Sequence, residues 1–267
     1  MSTIALVPAT RTLNQSLTIY AKEAYYEFLK YLRIPMYAGS TIAFPVMFYI
    51  LFGLLMNRTG SAGNISVSTY LIATYGSFGV MGASLFANGI GVATERGLGW
   101  MQVKRASPMP PFAYFLAKFF VSAMFSLIIV LLLLELGAAF GGVRLATTTI
   151  VKLILALLAG VAPFCAMGLA IGYWAGPNSA PAAVNLTYLP LSFASGLWFP
   201  IEVLPKFLQH IAVFLPPYHL AQMALQAIGG AHAGTTIYHL EFLLGFTLLA
   251  LGVAYTGYRR DEGKTYG

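Results

Sequence analysis

Residues 192–222 read SFASGLWFPIEVLPKFLQHIAVFLPPYHLAQ, and the fold turns on them. An apolar run stops at Phe199-Pro200, and a short amphipathic piece bounded by Pro205 follows. Pro216-Pro217-Tyr218-His219 comes next, well before another apolar run begins near Leu240. A chain that only crossed a bilayer six times would not need this insertion. The pattern predicts backbone that dips back toward the membrane between the last two spans, where irregular structure is tolerated if it is buried in protein or lines a path.

Outward from that stretch, the whole chain is apolar. Of 267 residues, 58% are hydrophobic and 9% charged, against about a quarter charged in soluble domains. Six runs are candidates for membrane spans: Ile34–Met56, Tyr70–Ala93, Phe112–Phe140, Ile150–Trp174, Ala182–Phe199 and Leu240–Tyr258. Most reach the length that a hydrocarbon core of about 30 Å demands, while the fifth is short and the third over-long. The predicted fold is an all-α membrane protein with six transmembrane helices, an N-terminal amphipathic helix and a re-entrant outer segment. Its divisions are residues 1–33, a membrane domain over 34–258, and a tail over 259–267.

The net charge of +7 would suggest nucleic acid in a soluble protein. Here basic residues cluster as loops on the inner side of a membrane do. With the N-terminus inside, Arg11, Lys22, Lys30, Arg33, Arg96, Lys104, Arg105, Lys118, Arg259, Arg260 and Lys264 fall inside, and only Arg58, Arg144, Lys152 and Lys206 fall outside. Both termini are thus expected in the cytoplasm. No cleavable signal peptide is expected at the start. Cys165 is the single cysteine and reads as a small packing residue.

Residues 20–33 step around a helix with two faces. Lys22, Glu23, Tyr26, Glu27, Lys30 and Arg33 share one arc; Tyr20, Ala21, Ala24, Tyr25, Phe28, Leu29, Tyr31 and Leu32 share the other. This predicts an interfacial helix with Tyr25, Phe28 and Leu32 toward the lipid headgroups. The loop after the second span carries Glu95-Arg96-Gly97, then Gly99 to Arg105 with Trp100, Met101 and Val103, and stops at Ser107-Pro108. Its residues fit a short helix docking onto another protein and an ordinary basic loop equally well.

Catalytic and metal-binding signatures are missing. Gly257 to Thr265 resembles a phosphate loop but has five residues between its glycines and no helix after it, so it reads as a solvated basic tail. There is no H-E-x-x-H or G-x-S-x-G, which argues against an intramembrane enzyme. His210, His219, His232 and His239 all lie in the outer segment without ligand spacing and read as interface residues. Glu135, Lys152 and Glu241 sit at outer boundaries, so no charge is expected at the midplane. Asn88 and Asn185 are candidates for bonds between helices, and Gly168, Gly172 and Gly176 for close packing within the chain or in a dimer. Tyr188, Ser192 and Phe193 in the fifth span could line a path or simply pack.

The Glu95-Arg96-Gly97…Ser107-Pro108 loop, the N-terminal amphipathic helix, and the run Ser195-Gly196-Leu197-Trp198-Phe199-Pro200…Leu204-Pro205…Leu215-Pro216-Pro217-Tyr218 together resemble the ABC-2 family of ABC-transporter permeases, over Tyr20 to Tyr258. The resemblance implies a bacterial inner (plasma) membrane subunit that pairs with a second permease, as homodimer or heterodimer, and with a cytosolic ABC ATPase that binds ATP and Mg. Glu95, Arg96, Gly97, Trp100, Gln102, Arg105 and Ser107 would then form the ATPase-coupling element. Pro200, Glu202, Pro205, Pro216, Pro217 and Tyr218 would belong to an outer gate. The expected function is export of an amphipathic drug, peptide antibiotic or lipid. Export of a lipid-linked polysaccharide is the nearest alternative, and a non-transporting intramembrane enzyme or scaffold the more distant one.

Overall fold

A computed structural model describes residues 13–56, 60–107 and 109–261. Twelve α-helices and one two-strand hairpin make up the described chain. Helix α1 (Leu13–Leu32) precedes α2 (Pro35–Phe48), which continues as a π-helical stretch to Met56. Pro45 lies inside α2; proline removes a ladder donor, and a register change nearby accommodates the loss. The hairpin β1 (Ser61–Ala62) and β2 (Ile65–Ser66) leads into α3 (Val67–Leu85), whose first turn is capped by the Ser66 hydroxyl. A π-helical turn, Phe86–Ile90, joins α3 to α4 (Gly91–Gly97).

Then come α5 (Trp100–Ala106), α6 (Pro111–Phe140), α7 (Thr147–Ala159), α8 (Val161–Trp174) and α9 (Ala180–Ala194). After a 3₁₀ turn at Ile201–Val203, α10 (Lys206–Ala212), α11 (Pro216–Ala227) and α12 (Thr236–Asp261) complete the chain. Pro163 stands in the first turn of α8, three residues past the break at Gly160 that divides α7 from α8.

Among the described residues, five helical runs are long and apolar enough to cross a membrane: Pro35–Met56, Val67–Gly97, Phe112–Phe140, Thr147–Trp174 and Thr236–Asp261. The expected sixth, Ala182–Phe199, falls short. Its helix α9 has 15 residues, about 22 Å at 1.5 Å per residue. Gly196, with φ +74°, turns the chain just beyond it. Pro177 before α9 packs against Gly97 at the end of α4, and the Trp198 carbonyl after it meets the Tyr75 hydroxyl midway along α3.

The α3–α4 run is the central element, with 94% of its apolar window buried. Tyr75, Phe78, Met81 and Leu85 join Phe125, Ile129 and Leu133 of α6 in the main core. Helix α12 packs along α8. Helix α11 is buried from Pro216 to Leu225, wedged among α3, α7 and α12. Gly160, between α7 and α8, admits it, since a Cβ there would lie 2.3 Å from Leu220 Cδ2. Gly168 and Gly172 serve the same end within the chain. They pack against Asn88, while Gly176 lies outside the helix.

Candidate functional site

The end of the bundle that carries α1, α4 and α5 holds a charged junction. Lys118 in α6 is completely buried, and its ammonium is 2.6 Å from Glu27 Oε1, 2.8 Å from Glu95 Oε1 and 3.0 Å from Tyr31 Oη. An ammonium has three hydrogens, and all three are used. Lys30 pairs with both Glu27 (2.6 Å) and Glu95. Tyr114 donates to Glu95 Oε2 at 2.6 Å. Two carboxylates and two ammonium groups balance to zero net charge, which lets Lys118, Glu27 and Glu95 be buried with Lys30 at the rim. Burial first, and then the Glu95 charge, hold the Tyr31 hydroxyl well above its ordinary value. It therefore stays protonated and donates to the Ala87 carbonyl at 2.7 Å.

Arg96 turns the other way. Its guanidinium grips Asp261 with two parallel bonds, Nε to Oδ2 at 3.0 Å and Nη2 to Oδ1 at 2.8 Å. Nη1 caps the end of α8 through the Gly172 and Ala175 carbonyls at 2.5 and 3.3 Å. Glu95 thus ties α4 to α1 and α6, and Arg96 ties it to α8 and α12. A planar fork matched to a carboxylate is geometrically demanding, so the end of α12 is fixed to α4.

Three residues past Arg96, Gly99 takes φ +73° and is the N-cap of α5. This glycine therefore sets the turn and leaves the helix itself intact. Leu98, Trp100 and Val103 are 67%, 55% and 63% exposed. Lys104 binds back to Glu23 of α1 at 2.6 Å and lies 4.5 Å from the Tyr114 ring. The Ser107 hydroxyl caps the helix on the Lys104 carbonyl at 2.7 Å. Gln102 is on the exposed side, and the Arg105 side chain lies outside the described ones.

Several sequence expectations change here. On α1, Glu27 belongs to the arc taken as solvent-facing, yet it is buried and faces α6. The charged stripe Glu23, Glu27, Lys30 faces protein, because its partners Lys104, Lys118 and Glu95 are there. Tyr25 and Leu32 are exposed on the outside, as a lipid-facing arc would be, while Phe28 packs on Phe125 at 5.6 Å. Lys118 was expected among the inner basic residues rather than in a buried ion cluster. The signal was its i±4 register with Tyr114 and Ser122, a polar line on an apolar helix. Asp261 belongs not to a solvated tail but to the Arg96 pair; residues 262–267 lie outside the described ones. Asn88 bonds between helices, to Ser122 Oγ at 3.0 Å and Cys165 Sγ at 3.3 Å, whereas Asn185 bonds within its own helix.

At the opposite end the predicted gate residues divide. Pro200, Glu202 and Pro205 lie on an accessible turn, while Pro216, Pro217 and Tyr218 form the buried start of α11. Burial, and next the Glu202 charge, raise the Tyr218 hydroxyl above its ordinary value, so the two groups feel each other. The three path candidates do not share a surface. Tyr188 and Ser192 turn inward, Tyr188 stacking on Phe78 at 4.6 Å, while Phe193 is exposed. Instead, an aromatic row follows one side of the first span. Phe44, Phe48 and Phe52 are spaced 6.3 and 6.1 Å apart and continue through Phe199 (6.2 Å) to Phe193 (6.4 Å).

Comparison with known proteins bears on this geometry. The family model described as ABC-2 type transporter matches residues 24–228. A Bacillus subtilis (strain 168) protein named as a transport permease, YvfS, is 27% identical over 214 residues, which cover 80% of this chain and 87% of that protein.

Proposed function

Because the chain belongs to the ABC-2 type transporter family, and is thus a multi-pass membrane permease that works with an ABC ATPase rather than an enzyme itself, we propose that it is the membrane subunit of an ATP-driven exporter of amphipathic molecules in a bacterial plasma membrane. In this reading α5 is the coupling helix, both termini are cytoplasmic, and two permeases flank the path. ATP and Mg are bound by the partner ATPase. The observation that carries the reading is α5 itself. It presents Trp100 and Val103 outward, with Leu98 exposed in the turn before it, while Glu95 and Arg96 on α4 grip the two sides of the bundle. A push on α5 would reach α1 and α6 through one residue and α8 and α12 through the next.

The outer end then contains the gate, with α11 as its re-entrant helix, α9 as a short sixth crossing, and Pro200, Glu202 and Pro205 at its rim. The row Phe44–Phe48–Phe52–Phe199–Phe193 offers apolar ring faces along the seam between protomers, which suits a drug, peptide antibiotic or lipid. Ring faces also stack on sugars, and that row is what favours lipid-linked polysaccharide as the second reading.

Co-purification with a partner ABC ATPase tests the docking role. Replacing Leu98, Trp100 and Val103 by glutamate should abolish co-purification while leaving membrane insertion and melting intact. Undiminished co-purification would sink it. Transport by the purified complex in vesicles, with an amphipathic dye against a lipid-linked glycan, separates the two substrate readings.

A further inference from the structure

Four of the hydrogen-bonding atoms at the opposite end of the bundle form a line that neutral histidines cannot satisfy. His219 of α11 and His239 of α12 are both buried. His219 Nε2 lies 2.9 Å from the Val213 carbonyl oxygen, and His239 Nε2 lies 2.5 Å from that of Ala233. A carbonyl oxygen only accepts, so each Nε2 carries a hydrogen. In a neutral imidazole the other nitrogen is then a bare lone pair. The two remaining nitrogens, Nδ1 of each ring, face each other at 2.8 Å. Two lone pairs at that separation repel; one hydrogen between them makes a normal hydrogen bond.

The ring centroids are 5.0 Å apart. Adding a ring radius at each end of the 2.8 Å gap comes close to that separation, so both Nδ1 atoms sit near the line joining the rings. A metal ion would need the two lone pairs to meet at a third point, at about 2.0–2.1 Å from each. The head-on arrangement suits a proton instead.

We infer that His219 and His239 hold one shared proton between them, three N–H hydrogens on two rings with a single positive charge, and that this proton latches α11 to α12. The proton-sharing follows from the geometry alone; its place in an outer gate rests on the exporter reading above. Two neutral contacts flank the latch: Gln222 Oε1 accepts from the Ala233 amide at 2.7 Å, and Gln226 accepts from the Thr236 hydroxyl. Phe242 stacks on His219 at 3.7 Å and covers one face of the pair.

The surroundings are polar but hold no ion partner for the pair among the described residues. Tyr218 and Tyr238 contact the rings edge-on or tilted. The His232 ring turns to its own loop, with Nδ1 2.8 Å from the Gly230 carbonyl oxygen. The Glu202 charge is felt at the Tyr218 hydroxyl, which burial first and then this carboxylate raise above its ordinary value. The α3 hydroxyphenyl nearby, Tyr75, is engaged with Trp198, and α7 carries only Lys152, which is exposed. A second proton would place two positive charges at bond distance with no carboxylate against them. Consistent with that, burial pushes His219 down to about 4, opposed by the Val213 carbonyl and reinforced by His239. Removing the only shared proton restores the lone-pair clash. The latch is therefore closed only in its singly protonated state.

The test uses the full chain in lipid nanodiscs with ¹⁵N-labelled histidine. The chain has only four histidines, and His210→Asn and His232→Asn assign the other two. At about pH 7 the pair should show three protonated ring nitrogens, with the shared one lost in His239→Phe. Two protonated nitrogens, with both Nδ1 bare, would overturn the inference. Amide exchange over residues 218–227, corrected for intrinsic rate, reports the latch. Protection should fall about tenfold or more as pH drops from about 6.5 to below about 4, as expected of a local opening, and His239→Phe should flatten that response. An unchanged profile, or the same profile in His239→Phe, overturns the latch. Neither measurement uses ATPase or substrate, so a failed transport assay would count against the exporter reading alone.

Discussion

Glu95 and Arg96 are adjacent in the chain and bind opposite sides of the bundle: Glu95 accepts from Lys118 of α6 at 2.8 Å, while Arg96 donates to Asp261 of α12 at 2.8 Å. Both side chains are largely buried. Successive residues of a helix point about 100° apart, so a dipeptide at the end of a central helix can reach two different neighbours. Any rotation of α4 changes both bonds together.

Lys118 holds the larger cluster. Lys118→Met would leave Glu27 and Glu95 with only Lys30, which is partly exposed. Removing one partner of a buried ion network costs about 3–5 kcal/mol. The expected result is a marked drop in melting temperature of the purified protein. Adding Glu27→Gln to Lys118→Met should recover part of it, because one uncompensated charge is gone.

Arg96→Lys keeps the charge and loses the fork. A lysine is a point charge that cannot make two parallel bonds to one carboxylate. Amide exchange at the end of α12, near Tyr258 to Asp261, should rise, with exchange in α3 unchanged. Equal exchange in both proteins would mean that the pair does not hold the helix.

Gly99→Val places a branched side chain at φ +73°, a conformation that costs such a residue of the order of 1–3 kcal/mol. The turn into α5 should shift and co-purification of the ATPase should weaken, with melting little altered because α5 is a surface helix. Gly99→Asn, which tolerates this conformation better, should retain more of it.

Gly160→Val should force Leu220 away and loosen α11, since a Cβ at that position meets Leu220 Cδ2 at 2.3 Å. Overpacking of this kind costs about 1–3 kcal/mol. Leu220→Ala destabilises by itself, yet in the double variant the two losses should be less than additive. Thermal melts of the four proteins form the cycle that measures this coupling.

Stability should fall on the acid side of the ordinary histidine value of 6.5. The second proton is refused, with His219 pushed down to about 4, so the stability that rests on refusing it is complete above about 6.5 and disappears as pH falls toward 4. Melting temperature against pH, for the wild type and for His219→Phe with His239→Phe, checks it. The double variant should lose this acid response.

The chain's own order of residues determined what depends on neighbours in sequence. Hydropathy marked the apolar runs, the Glu95–Ser107 loop and the interruption at Phe199-Pro200, because helix length and proline act locally. Over Gly99 to Arg105 the residues left a short helix and an ordinary loop equally open, and the fold forms the helix, with Gly99 before it. Tertiary structure alone decided what depends on distant partners. Glu27 faces inward because Lys118 awaits it, Asp261 is fixed because Arg96 reaches it across 165 residues, and α9 falls short because Gly196 turns the chain. His219 and His239, 20 residues apart and on different helices, carried no shared signal in one dimension. The cause is the same each time: burying a charge or a lone pair is unfavourable until a partner arrives, and only the folded chain supplies that partner.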